Sequence, residues 1–113
     1  MNIQIFGTKK SSDARKAERW FKERRIKFQY IDLAQKEISK GELRSVAQAC
    51  GGLAALIDEK AKDKYAVALL QHTPQDMLLD KLLENQQVLR QPLVRNGKQA
   101  TVGYAPDVWK TWE

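Results

Sequence analysis

The sequence predicts an α/β protein with a mixed four-stranded sheet and a helical insertion. Residues 2–6 and 28–33 have strand-type apolar patterns and flank a charged helix. Two strands joined by one helix over so short a distance require a right-handed crossover and parallel pairing. Near the other end, residues 93–104 contain an Asn-Gly pair between two short strand-type runs, which predicts a β-hairpin with a type I′ turn. Helix-type patterns occupy residues 39–58, whereas residues 60–71 carry no clear pattern, and a helical insertion is expected over about residues 40–70.

The first helix is expected to begin at Ser11 or Ser12 and to end near Arg25. Serine is a favoured N-cap residue, because its side chain accepts a hydrogen bond from the first helical turn. The apolar side chains of this segment recur at the spacing of a buried helix face: Ala14, Ala17 and Phe21.

Four further helix signals follow. Ser39 and Glu42 have the spacing of a capping box and predict a helix that ends at Gly51-Gly52. A short helix is expected over 53–58. Thr73-Pro74 is typical of an N-cap followed by proline, and it predicts a helix extending to about residue 84. A terminal helix is expected over 106–112.

Composition restricts the function classes. The chain has 113 residues, which predicts one domain spanning residues 1–113. No apolar run approaches the roughly 20 residues that a membrane helix needs, and the N-terminus has no signal-peptide pattern, so we expect a cytoplasmic protein without a membrane partner. Cys50 is the only cysteine and excludes an internal disulfide. His72 has no second His or Cys nearby, so neither a metal site nor a cofactor is expected.

The net charge of +6 is concentrated near the N-terminus. Residues 1–30 hold nine Lys or Arg against three acidic residues, whereas residues 31–113 hold eleven of each sign. Such clustered charge attracts an acidic protein, an anionic ligand or nucleic acid, and it also occurs on ordinary solvated helices. No aromatic stacking set or nucleic-acid-binding motif accompanies it, so direct nucleic-acid binding is not expected from the sequence.

Three segments resemble a known family in the same order along the chain. They are the N-terminal "IQIFGTKKSSDARKAERWF", the central "SKGELRSVAQACGG" and the C-terminal "TPQDMLLDKLLENQQVLRQPLVRNGKQATVGYAPDVWK". Together they resemble the arsenate reductase-like (ArsC/Spx) family of thioredoxin-fold proteins. The resemblance implies a thioredoxin-like (glutaredoxin-like) fold with an inserted helical lobe. It also implies a cis-proline beside the active-site loop, at Pro92.

The residues that carry the family's chemistry are replaced in this chain. Aligned by the Arg-Lys-Ala stretch, the family's nucleophilic cysteine corresponds to Ser11, and the second cysteine of the regulatory branch corresponds to Ala14. The resemblance places the oxyanion-binding arginine of the lobe at Lys60 and the arginine before the proline at Gln91. Arg90 is adjacent to Gln91, but neighbouring strand residues face opposite sides of a sheet.

These replacements argue against thiol redox chemistry. A helix N-terminus can ionise a thiol near neutral pH, whereas a serine hydroxyl also needs a general base. Serine cannot form the mixed disulfide through which thiol reduction proceeds. Cys50 lies on the apolar side of a predicted helix, where a buried and unreactive thiol is the expected interpretation.

We therefore expect a redox-inactive binding or regulatory module. By resemblance to the Spx branch, its partner is RNA polymerase, bound through the C-terminal domain of the polymerase α chain, and the basic first helix offers a protein-binding face. A weak oxyanion site is also expected, and its candidate residues are Lys9, Lys10, Ser11, Ser12, Lys60 and Arg90. The alternative is an enzyme, either a thiol-dependent reductase linked to glutathione or thioredoxin, or an enzyme that catalyses an unrelated transfer reaction with Ser11. An enzyme needs a base within hydrogen-bond reach of Ser11, and a protein adaptor needs an exposed patch with an apolar centre.

Overall fold

The computed structural model describes residues 1–112, which form four strands, five α-helices and three short 3₁₀ segments. The strands are β1 (Ile3–Gly7), β2 (Phe28–Asp32), β3 (Leu93–Asn96) and β4 (Gln99–Val102). The α-helices are α1 (Ser12–Glu23), α2 (Lys40–Ala49), α3 (Lys64–Gln71), α4 (Gln75–Glu84) and α5 (Pro106–Trp109). The 3₁₀ segments are Leu53–Leu56, Gln86–Val88 and Lys110–Trp112. Of the helices within residues 1–112, none has the length and apolar character that crossing a bilayer requires.

The four strands form one mixed sheet in the order β2-β1-β3-β4. β1 pairs in parallel with β2 and antiparallel with β3, and β3 pairs antiparallel with β4. Ile5 of the central strand therefore lies between Tyr30 of β2 and Val94 of β3. The predicted mixed four-stranded sheet is confirmed, as is the thioredoxin-like arrangement with α2 and α3 between its two halves.

Each face of the sheet has its own core because successive residues of β1 point in opposite directions. Ile3 and Ile5 pack with Trp20, Phe21 and Trp109 on the face that α1 and α5 cover. The opposite face carries the apolar side chains of the helical insertion and of α4, and its fully buried members include Phe6, Leu43, Val46, Leu70, Leu82 and Leu93. The two cores fix β1 at the centre of the molecule, and β1 leads directly into the loop before α1.

Most helix signals act as expected, but the predicted cap at Thr73 is wrong. Ser39 and Glu42 form the reciprocal capping box at the start of α2. The hydroxyl of Thr73 instead donates to the carbonyl oxygen of Leu69 at 2.6 Å, and Pro74 is the N-cap of α4. Thr73 therefore finishes α3 rather than starting the next helix, because a threonine hydroxyl can bond to the carbonyl four residues earlier.

The predicted type I′ turn is also wrong. Asn96 pairs with Gln99, so Gly97 and Lys98 occupy the central positions of the turn. Of these two residues only Gly97 has a positive φ, of 62°, whereas a type I′ turn needs positive φ at both. Glycine at the first central position is typical of a type II′ turn. The turn is shifted because Asn96 belongs to β3.

Candidate functional site

A cleft of about 740 Å³ lies where β1 leads into α1. The loop before α1 forms one wall, the segment before α3 forms another, and the chain just before β3 closes the base. Its polar and charged lining residues are Thr8, Lys10, Ser11, Ser12, Asp13, Asp58, Lys60, Lys62, Asp63, Gln87 and Gln91. The fold therefore brings together most of the residues that sequence reasoning selected.

Ser11 is the N-cap of α1. Its Oγ accepts a hydrogen bond from the backbone N–H of Ala14 at 3.1 Å, and its own N–H donates to the carbonyl oxygen of Thr8 at 3.1 Å. Within residues 1–112, its hydroxyl makes no hydrogen bond to a carboxylate or an imidazole. The backbone amides of Ser12 and Asp13, in the first turn of α1, also have no hydrogen-bond acceptor within residues 1–112. Ser11 is thus a helix cap without a general base.

Gln91 holds the loop from the opposite side of the cleft. Its Oε1 accepts from the backbone N–H of Thr8 at 2.7 Å and from the Thr8 hydroxyl at 3.1 Å. Gly7 permits α1 to pack closely against this loop, because a Cβ at this position would lie 2.8 Å from the Cβ of Ala14. Gln91, which the sequence resemblance aligns with an arginine of the family, therefore bonds to the loop itself.

The charges around the cleft are balanced. Lys10, Lys60 and Lys62 are matched by three aspartates, Asp13, Asp58 and Asp63, which sequence reasoning did not select. Two of these aspartates flank Lys60 in sequence, and this proximity is the sequence feature that could have identified them as site residues. An incoming anion would meet carboxylates as well as ammonium groups.

Two of the aspartates organise the backbone around Lys60. Asp58 accepts a hydrogen bond from the backbone N–H of Lys60 at 2.9 Å. Asp63 caps α3 by accepting from the N–H of Ala66 at 3.0 Å, and it also accepts from the side-chain amide of Gln87 at 3.0 Å. These two hydrogen bonds, that from Ala66 first, lower the pKa of Asp63, so its carboxylate remains charged at neutral pH.

Two candidate anion-binding residues lie outside the cleft lining. Lys9 is exposed, and its backbone carbonyl accepts a hydrogen bond from the Arg15 guanidinium. The Arg90 guanidinium donates to the carbonyl oxygen of Ala55 at 3.3 Å, and its backbone N–H bonds to Leu56. Arg90 therefore does not contribute its charge at position 91 of the cleft, because its side chain is bonded to Ala55 outside the cleft lining.

The remaining residues of interest lie around or outside the site. The Gln91–Pro92 peptide bond is cis, and Pro92 is buried next to Gln91. His72 is exposed at the end of α3, with its Nδ1 2.8 Å from the carbonyl oxygen of Ala68, and it does not line the cleft. Within residues 1–112, no cluster of three His, Cys, Asp or Glu side chains could hold a metal ion.

Cys50 is not part of the cleft. It is the C-cap of α2 and packs, partly buried, against the core of the helical insertion. Burial raises the pKa of its thiol, and the nearby Arg90 charge only partly opposes this effect. A raised pKa reduces the fraction of thiolate at neutral pH, and the thiolate is the reactive form of a cysteine.

Comparison with known proteins identifies the relatives of this chain. The ArsC family model matches residues 6–112. The global transcriptional regulator Spx 2 of Oceanobacillus iheyensis is 28% identical over 109 residues, which are 95% of this chain and 80% of that protein. Among solved structures, an ArsC family related protein from Bacteroides fragilis aligns with a TM-score of 0.84 at 18% identity, covering 100% of this chain and 98% of that one. An arsenate reductase from Vibrio cholerae aligns with a TM-score of 0.80 at 23% identity, covering 96% and 94%.

Proposed function

Because the chain belongs to the ArsC family, we propose that it is a redox-inactive member of that family that acts by binding a partner. The observation that carries this proposal is the hydrogen bonding of Ser11. Its oxygen caps α1, no base contacts it within the described residues, and Gln91 is engaged with Thr8. In this proposal, the site has the loop and the helix N-terminus of a thiol enzyme, with the hydroxyl of Ser11 in the place of the thiol.

The proposed partner is RNA polymerase, by analogy with Spx proteins and in accord with the similarity to the regulator Spx 2. A protein-binding surface needs an apolar centre. α1 does not offer one, since the exposed large apolar side chains are Met1, Tyr65, Leu69, Met77, Tyr104 and Val108. Tyr65 and Leu69 lie one turn apart on α3 and share a face. We therefore assign the protein contact to α3 instead of to the basic first helix.

Binding to the isolated C-terminal domain of the polymerase α chain tests this function. We expect the wild-type protein to bind the domain, and we expect Tyr65→Ala with Leu69→Ala to weaken binding at least about tenfold, as loss of an interface anchor does. Met77→Ala, a truncation of another exposed apolar side chain, serves as the matched control and should bind like wild type. Absence of binding by the wild-type protein would overturn the proposed partner.

We further propose that the cleft retains a weak anion site. The amides of Ser12 and Asp13, which have no hydrogen-bond acceptor within residues 1–112, and the positive end of α1 favour an anion, with Lys10 and Lys60 nearby. The balancing aspartates and screening by salt keep the binding weak. We expect a dissociation constant of about 1 mM, which corresponds to a binding free energy of roughly 4 kcal/mol.

NMR titration with phosphate is expected to shift the amides of Ser12 and Asp13 first. The amide of Ala14 should move less, because Ser11 already accepts its hydrogen. The shifts should fade as salt is added, since exposed charges are screened. If amides elsewhere respond while these two do not, Ser11 and its neighbours only cap the helix.

A further inference from the structure

We propose that the outer face of α1 binds the phosphate backbone of duplex nucleic acid without sequence preference. This inference goes beyond the proposed function, which concerns a protein partner bound through α3. It also revises the expectation from the sequence, in which clustered positive charge was the only feature that favoured nucleic-acid binding. Two structural observations now support it: the cations of this face form no salt bridge within residues 1–112, and the face has no exposed apolar centre.

The basic face is defined here by Arg15, Lys16, Arg19 and Lys22 of α1, with Arg24, Arg25 and Lys27 immediately after the helix. All seven side chains are exposed. Three salt bridges occur within residues 1–112, and all of them join residues outside this face. The charges are therefore available to an external anion. Ion pairs would have reduced this availability by neutralising them in place.

The helix presents these charges in an ordered array. Arg15, Arg19 and Lys22 recur at i, i+4 and i+7, which places them along one stripe opposite the buried side. Ala14, Ala17, Trp20 and Phe21 form that buried side. Trp20 also holds the Arg24 guanidinium, 4.0 Å from its ring centroid, and its carbonyl accepts from Arg24 at 3.2 Å. Arg24 is thus ordered at the C-terminal end of α1, beside Trp20 and not on the stripe itself, while its side chain remains exposed.

The dimensions match a nucleic-acid backbone. α1 has 12 residues, so its axis is about 18 Å long. Duplex DNA carries one phosphate charge per about 1.7 Å of its axis, so a helix of this length lies opposite about ten charges. Four to six contacts from the basic face are therefore geometrically reasonable, which is a typical basis for nonspecific binding.

The composition of the face favours phosphates over a protein partner. Protein interfaces centre on desolvated aromatic or aliphatic anchors, and none of the exposed large apolar side chains lies on α1. Phosphate contacts need no such anchor, because release of condensed counterions supplies the free energy. The side chains of the face are not arranged to hydrogen-bond with base edges, so we expect binding that does not depend on the base sequence.

Fluorescence anisotropy with a labelled duplex of about 20 base pairs tests the proposal on the isolated protein. We expect binding at about 50 mM salt, with log K falling against log salt at a slope of about −4 to −5. Lys16→Gln, Arg19→Gln and Lys22→Gln combined should make this slope shallower by about 3 and weaken binding at least about tenfold. None of these three side chains makes a hydrogen bond or salt bridge within residues 1–112, so the fold should tolerate the change.

The matched control changes the same charge elsewhere. Lys36→Gln, Lys64→Gln and Lys98→Gln combined remove three exposed lysines outside the basic face and should leave the slope unchanged. Equal weakening by both triple variants would overturn the proposal, because only net charge would then matter. Absence of binding at low salt would also overturn it. Equally tight binding of polyglutamate would instead assign the face to an acidic protein.

Discussion

Ser11→Cys is expected to produce a thiol whose pKa lies at least about one unit below the usual value of about 8.5. The side chain would occupy the N-cap of α1, where Ser11 now accepts from the amide of Ala14. The amides of Ser12 and Asp13, for which the described part of the chain supplies no acceptor, and the positive helix end would stabilise a thiolate there. The result would show that the frame for thiol activation survives and that one atom, oxygen in place of sulfur, removes the reactivity.

The measurement is a pH titration of thiolate absorbance in a Cys50→Ser background. Ser45→Cys in the same background is the matched control, because Ser45 is also partly buried but lies within α2, away from a helix N-terminus. We expect the control thiol to titrate at or above the usual pKa. Equal pKa values for the two introduced thiols would mean that the loop no longer activates a thiol.

Gln91→Ala is expected to lower the free energy of unfolding by about 1–2 kcal/mol. The truncation removes the acceptor of two hydrogen bonds and leaves the partly buried N–H of Thr8 without a partner. It should also speed hydrogen exchange at Thr8, because the loop would be held by fewer contacts. Denaturant unfolding and amide exchange measure the two effects.

Gln87→Ala provides the comparison. Gln87 lines the same cleft, but it is exposed, and its side-chain amide donates to the exposed carboxylate of Asp63 at 3.0 Å and to the side-chain oxygen of Asn85 at 3.5 Å. Its truncation should change the free energy of unfolding by less than about 0.5 kcal/mol. Similar losses for the two variants would show that Gln91 does not position the loop in the manner described.

The fold was predictable because its signals are local. The apolar pattern of β1, the capping box at Ser39 and the glycine of the hairpin each act within a few residues, and the crossover rule then gives the parallel pair. The errors at Thr73 and Asn96 concern hydrogen bonds or pairings that shift by one residue. Such shifts leave the order of the elements unchanged.

The site was less predictable because its contacts are distant in sequence. Gln91 and Thr8 are 83 residues apart, and no sequence pattern indicates that a glutamine would bond to that amide. Likewise, Arg90 is adjacent to the expected position, yet its side chain bonds to Ala55. Sequence position therefore predicted where the candidate site lies, whereas the contacts of its side chains depended on the tertiary structure.

Arsenate turnover by the wild-type protein tests the central claim most directly. With glutathione or thioredoxin as the electron donor, we predict no rate above that of the same mixture without the protein, because Ser11 cannot form a mixed disulfide. Cys50→Ser, assayed in parallel, removes the only thiol of the chain. Turnover that persists in Cys50→Ser would contradict the redox-inactive assignment. Turnover that disappears in that variant would also contradict it and would identify Cys50 as the nucleophile.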